Sequence, residues 1–197
     1  PITEAGIDGT GLVDQTGGTH NVTTLVLGGD SHTGEYQRGG SGVLNVAEIH
    51  AGYRAYLDTD PGTGSVTQTR GTLNATGNVY FGCIADSEGL FYQTGGTGQI
   101  ADLYVGHGAN STGECALGDG PLLGVAIAQQ VTGDVHLGHA EGSDGTYRVD
   151  GAIYRIGIGW SQPGELTVDG TVFVGGNGSG RLEVHPSARM IANGPVV

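Results

Sequence analysis

The chain contains no lysine, and its seven basic residues, all arginine, face 20 acidic ones. The formal charge of −13 repels phosphate backbones and anionic lipid, so nucleic acid is not an expected partner. No apolar run approaches the roughly 18 residues of a membrane span, so membrane insertion is not expected. Only two cysteines are present, Cys83 and Cys115, too few for a disulfide framework and without metal-site spacing. A single bridge between them stays open, although the register below puts them in different columns. A strict Gly-X-Y period is missing despite 41 glycines in 197 residues, which excludes collagen. Nucleophile-elbow, P-loop and HExxH signatures are missing too, and "GTGLVDQTGG" lacks the strand-to-helix context of a dinucleotide site. An initiating Met is absent, and the chain reads as processed, with any export signal removed.

What is present is a repeat. Apolar-x-apolar-Gly recurs at Leu25-Val-Leu-Gly28, Ile49-His-Ala-Gly52, Val79-Tyr-Phe-Gly82, Leu103-Tyr-Val-Gly106, Val135-His-Leu-Gly138, Tyr154-Arg-Ile-Gly157 and Val172-Phe-Val-Gly175. A small polar loop follows each, and then Gly-x-apolar: Gly34-Glu-Tyr36, Gly64-Ser-Val66, Gly89-Leu-Phe91, Gly113-Glu-Cys115, Gly145-Thr-Tyr147, Gly164-Glu-Leu166 and Gly180-Arg-Leu182. Alternation of period two is the mark of a strand with one buried face. Equivalent residues returning once per turn are what stacked turns need, because each turn buries its apolar face on its neighbours.

The expected fold is therefore all-β, a parallel β-solenoid (β-helix) of about seven irregular turns with two to three short strands per turn. One inward ladder reads Leu27, Ala51, Phe81, Val105, Leu137, Ile156, Val174, and the other Tyr36, Val66, Phe91, Cys115, Tyr147, Leu166, Leu182. A third short strand is expected in "GVLNVA" (42–47), "TLNATG" (72–77) and "LLGVAIA" (122–128). Residues 19–184 form the repeat. Residues 1–18 and 185–197 break it and read as caps or assembly segments.

"GTLNATGNVYFGCIADSEGLFYQTGG" and "ADLYVGHGANSTGECALGDG" resemble the glycine-rich strand repeats of bacterial autotransporter passengers and related exported surface proteins. The resemblance spans roughly residues 19–184. It implies an extracellular, cell-surface location and is specific for architecture; such passengers include adhesins, toxins and enzymes.

Four sets of residues could carry function. The outward middle positions of the first motif, Val26, His50, Tyr80, Tyr104, His136, Arg155 and Phe173, would stack into an exposed aromatic-rich stripe. Such a stripe either binds a glycan or simply stabilises the strands. Carboxylates gather in the loops: Asp30, Asp58 with Asp60, Asp86 with Glu88, and Glu141 with Asp144. These read first as solvated turn residues, second as calcium ligands, and last as an acid/base pair. His107 and His139 follow the motif glycine and read as surface histidines. Asn21, Asn74, Asn110 and Asn177 head N-glycosylation sequons.

No cofactor is required by any of these, and calcium is the one candidate. The leading expectation is a non-enzymatic extracellular structural protein, a fibre subunit or a surface stalk or adhesin segment that self-associates through its ends or edge strands. The alternative is a glycan-binding adhesin module built on His50, Tyr80, Tyr104, His136 and Phe173. A polysaccharide-degrading enzyme is the third reading, and no catalytic residue is nominated for it.

Overall fold

The computed structural model describes residues 1–53, 60–118, 127–151 and 163–197, together with the backbone of Tyr154–Arg155 and Gly159–Trp160. The described residues form strands and no helix: β1 (Ile2–Ala5), β2 (Gly11–Gln15), β3 (Thr19–Leu27), β4 (Thr33–Arg38), β5 (Val43–Ala51), β6 (Thr63–Gln68), β7 (Thr72–Phe81), β8 (Glu88–Gln93), β9 (Gly96–Val105) and β10 (Thr112–Leu117). They continue with β11 (Ile127–Val131), β12 (Val135–Leu137), β13 (Asp144–Val149), β14 (Tyr154–Arg155), β15 (Gly159–Trp160), β16 (Gly164–Val168), β17 (Val172–Val174), β18 (Ser179–Val184) and β19 (Arg189–Ala192).

Two parallel sheets take these strands in turn. The large sheet runs β1-β3-β5-β7-β9-β11-β16-β19, with β12 beside β9 and β17 beside β12. The small sheet runs β2-β4-β6-β8-β10-β13-β18. Through most of the chain a strand of one sheet is followed by a strand of the other, so sequence neighbours face across the core while strands a repeat apart pair in register. The long strands bend midway. Register shifts mark the bend between Val46 and Ile49 and between Ala75 and Asn78, and farther on each strand divides in two, as β11 with β12 and β16 with β17. Asp102 and Asp134 hold the bend: Asp102 Oδ1 accepts from the Asp134 amide at 2.8 Å, and Asp134 Oδ1 from the Thr171 amide at 2.7 Å.

The core is a set of side-chain columns. Leu27, Ala51, Phe81, Val105, Leu137 and Val174 stack on the large sheet, as the alternation predicts. They face Val13, Tyr36, Val66, Phe91, Cys115, Tyr147 and Leu182 on the small sheet. Tyr36, Phe91, Cys115 and Tyr147 are fully buried, and the Phe81 and Phe91 rings stack across the core at 5.5 Å. Each fully buried side chain of this size contributes about 1.5–3 kcal/mol relative to exposure.

Glycine sets one corner between the sheets. Gly106 ends its strand at φ +68°, and a Cβ there would stand 2.4 Å from the Asp144 carbonyl oxygen. Opposite it, Gly113 would drive a Cβ to 2.2 Å from the Gly106 amide nitrogen. Backbone therefore meets backbone, and the pair recurs along the stack as Gly28 with Gly34, Gly82 with Gly89, and Gly138 with Gly145.

Three details differ from the sequence expectation. Tyr154–Arg155 pairs antiparallel with Gly159–Trp160 outside both parallel sheets, so this motif copy adds no strand to the stack; Ile156 lies outside the described residues. The column passes directly from His136 to Phe173, without Arg155. Leu166 belongs to the large sheet, between Gln129 and Met190, so Leu182 follows Tyr147 directly. The segments expected as a third strand are the first halves of the long strands where described, Val43–Val46, Thr72–Ala75 and Ile127–Val131; residues 122–126 lie outside the described residues.

The segments at either end of the repeat also pair in register. Ile2–Ala5 lies on Thr24–Leu27 and Gly11–Gln15 on Gly34–Arg38, while Arg189–Ala192 lies on Glu165–Val168 and Val196 on Val172.

Candidate functional site

The outward stripe forms as a ladder. His50, Tyr80, Tyr104, His136 and Phe173 occupy paired positions on adjacent strands of the second half of the large sheet. Their ring centroids are 5.2, 4.9, 4.6 and 4.7 Å apart in that order. From Tyr80 to Phe173 the interplanar angles are 23°, 3° and 9°, so the rings lie face to face along the stack. Their faces are thus turned to one another and their edges to solvent. Stacking of a sugar on an aromatic ring needs an open face; contacts of 0.5–1.5 kcal/mol between stacked rings need none, at about that magnitude per pair. Val26, expected at the stripe's end, is buried at 7% exposure beside Glu4.

A second column runs beside the first. His107 and His139 stack at 5.1 Å and 7°, and both meet Tyr104 edge-on. Burial lowers the pKa of His107 and His136 below the ordinary histidine range, and the neighbouring His139 pushes both the same way. The His107 Nδ1 lies 3.2 Å from the Cys83 carbonyl oxygen, which works against the shift. Both imidazoles are therefore held toward their neutral form, the form that packs.

Cys83 stands next in this column, its Sγ 3.4 Å from His50 Nδ1, while His50 Nε2 lies 3.2 Å from Glu48 Oε2. This chain of carboxylate, imidazole and thiol has the connectivity of an activated nucleophile. Its electrostatics oppose that role: burial, then the Glu48 charge, push the Cys83 thiol up to about 12. A thiol so held stays protonated and is not a nucleophile. Cys83 and Cys115 are both free thiols, Cys115 fully buried.

Two of the loop carboxylates are held apart. Glu88 and Asp144 share a column but are separated by Thr112. Asp86, at φ +60°, accepts a bond from Asn110 Nδ2 at 3.3 Å, and the Glu141 carbonyl accepts from the Asn110 amide at 3.0 Å. Asp30 also sits at positive φ, as a turn residue would, Asp60 is exposed, and Asp58 lies outside the described residues. Among the described residues no three His, Cys, Asp or Glu side chains come together as a metal site. Of the sequons, Asn110 and Asn177 are exposed in loops, whereas Asn21 and Asn74 stand on strands within an amide ladder. There Asn45 Nδ2 donates to Asn21 Oδ1 at 2.7 Å and Asn74 Nδ2 to Asn45 Oδ1 at 2.8 Å.

Sequence reasoning missed that amide face. Asn21, Asn45, Asn74, Gln99, Gln130 and Thr167 form an outward column on the first half of the large sheet. Over Thr72, Asn74, Thr97, Gln99 and Gln130 the surface sinks into a groove of ≈ 470 Å³. The signal available was the polar residue in mid-strand ("GVLNVA", "GTLNATG", "TGQIA"), where solvent-facing positions repeat. No protein-family model matches this chain, and no curated protein or solved structure matches it either.

Proposed function

We propose that the chain is a parallel β-solenoid with a structural, non-enzymatic role outside the cell, a fibre subunit or a segment of a surface stalk that associates through its ends. The observation that supports this most is the position of the exposed large apolar side chains. Among the described residues these are Ile2 and Leu12 at one end of the two sheets, and Val184, Val196 and Val197 at the other. The core columns open toward the same ends, with Val13 half-buried on one side and Val174, Leu182 and Met190 on the other. An open edge of a parallel sheet carries unpaired amide and carbonyl groups that template another strand. Further turns of one polypeptide would satisfy these edges in a stalk, and a neighbouring copy would satisfy them in a fibre. The surface location rests on the resemblance of the repeats to exported passengers.

Sedimentation velocity at rising concentration tests the association, with Leu12→Lys and Val184→Lys as edge variants. Larger species that grow with concentration and disappear in both variants are expected. A single monomeric species throughout, or assembly indifferent to both substitutions, contradicts end association.

A further inference from the structure

The two ends of the stack are open at the same three positions. Among the described residues, the first end presents β1 over the second half of the large sheet and β2 on the small sheet. It also presents Thr19–Val22 of β3, which β1 leaves uncovered. The last end presents Val196 over the second half, bridged to Val172, then β18 on the small sheet and β19 over the first half. Every open position at one end thus has an open counterpart in the same column at the other.

The small-sheet strands also have a direction. Gly11 starts β2 at the glycine corner, where a Cβ would meet the Gly6 amide nitrogen at 2.2 Å, and Gly180 starts β18 in the same way against Gly175 at 2.1 Å. At the far corner Gln15 ends β2, its amide donating to Val43 O at 3.0 Å. Two copies meeting through the same end are related by a two-fold axis, which pairs these strands antiparallel when sheet is laid on sheet. That sets a glycine corner, with no room for a side chain, against a glutamine corner. A copy displaced along the stack keeps every strand parallel and every corner on its own kind.

Charge separates the two modes as well. No arginine precedes Arg38, and the first end carries Glu4, Asp8 and Asp14, all exposed. Two of the seven arginines, Arg181 and Arg189, stand exposed on the last strands, bound to Glu183 and, at 3.5 Å, to Glu165. Two first ends together set carboxylates against carboxylates, and two last ends set arginines against arginines. An acidic end on the end that bears both arginines is the complementary pairing.

We propose that the ends associate head to tail, the first end of one copy seated on the last end of a second copy of this chain, with each column continuing across the seam in its own register. This pairing rests on the reading of the ends as association surfaces and adds the partner and its direction. On the small sheet the continued columns place Val13 on Leu182 and Gln15 on Val184. On the large sheet they place Val22 on Ala192. Leu12 comes beside Arg181, whose aliphatic stem covers it. Asp14 comes beside Glu183, and the Arg181 guanidinium that Glu183 already binds stands at the next position on the same face. Such an interface is heterologous, and it propagates because the added copy again presents an open end.

Sedimentation velocity on single variants and on their mixture tests the direction. Leu12→Lys blocks the first end alone and Val184→Lys the last end alone, both at exposed positions. Each variant by itself is expected to stay monomeric at concentrations where the parent forms larger species. Mixed one to one, they are expected to give a species of twice the monomer mass and nothing longer, because each supplies the end that the other lacks. A second pair, Leu12→Cys and Arg181→Cys, reads the register. Adjacent strands stand about 4.8 Å apart, within disulfide reach, so oxidation of the mixture is expected to yield a covalent dimer with one copy of each. Dimers of either lysine variant alone, or disulfides only between like variants, would mean symmetric pairing: end association would stand and the head-to-tail direction would fall. A lysine-variant mixture that stays monomeric while the parent assembles overturns the direction too. A parent that never associates removes end association and the direction together.

Discussion

The two corners that join the sheets are built on opposite principles. At one, Gly106 and Gly113 and their counterparts bring backbone against backbone with no room for a methyl group. At the other, the half-buried Gln15 and the fully buried Gln68 and Gln93 close the gap with amides that donate to carbonyl oxygens on the next strand. The first corner depends on the absence of side chains, the second on a particular side chain. A glycine corner tolerates no substitution because its neighbours are main chain and cannot give way. An amide corner can be varied, since a side chain that loses a bond leaves the backbone path intact. The molecule carries such variations: Arg38 stands in the glutamine column, its Nη1 donating to Thr72 O, and beyond Gln93 the column continues as Leu117, Val149 and Val184.

Substitution at the glycine corner should have the largest effect. Gly106→Ala combines a left-handed φ of +68° with overlap on the Asp144 carbonyl. A loss of about 3 kcal/mol or more follows from strain plus overpacking, readable by urea denaturation. At the amide corner, Gln93→Ala removes two bonds to backbone carbonyls and should cost about 1–3 kcal/mol in the same measurement. If the two substitutions cost the same, the distinction between the corners fails.

Arg38→Gln sharpens the comparison in the other direction. The guanidinium is 2% exposed, its Nε and Nη2 lack partners, and burial lowers its pKa to about 10. Restoring glutamine should leave the protein as stable as before or more stable, by up to about 1 kcal/mol. A clear loss of stability would mean that the arginine is held by something the corner's geometry does not include.

The smallest effect is expected from pH. Neither glutamine nor glycine titrates, so the stability change between neutral and mildly acid solution should come from the ring ladder. His107 and His136 have folded pKa values below the ordinary 6.5. The unfolded chain then binds more protons than the folded one in the window between the folded value and 6.5. Stability is full above that window, falls as pH drops through it, and levels off below. His139, His50, Asp102 and Asp134 surround these rings, and the two carboxylates oppose the shift at His136. His136→Gln should flatten the profile of chemical denaturation midpoints between pH 7 and 5. An unchanged slope would place the titrating groups elsewhere.

The same contrast explains what the sequence made legible. The glycine corner is written in residue identity, so Gly28, Gly52, Gly82, Gly106, Gly138 and Gly175 could be aligned by eye, and with them the core columns from Leu27 to Val174. The motif is short, however, and matches where the corner does not exist. Gly164-Glu-Leu166 has the right letters, but Gly164 meets the Leu117 carbonyl and its strand lies in the large sheet. Ala5-Gly6 and Gly11-Leu-Val13 were passed over because the polar "ITE" before them hides the alternation, although they pair as the other copies do. The amide corner was invisible because Gln-Thr-Gly-Gly reads as a polar loop. Its bonds run to carbonyl groups 28 to 35 residues away in sequence, which no local pattern reports.

Negative-stain electron microscopy across a range of concentrations tests the structural role most directly. Filaments of uniform width that lengthen as concentration rises, and that are lost in Leu12→Lys and Val184→Lys protein, are the predicted result. Compact single particles of one size at every concentration would contradict it.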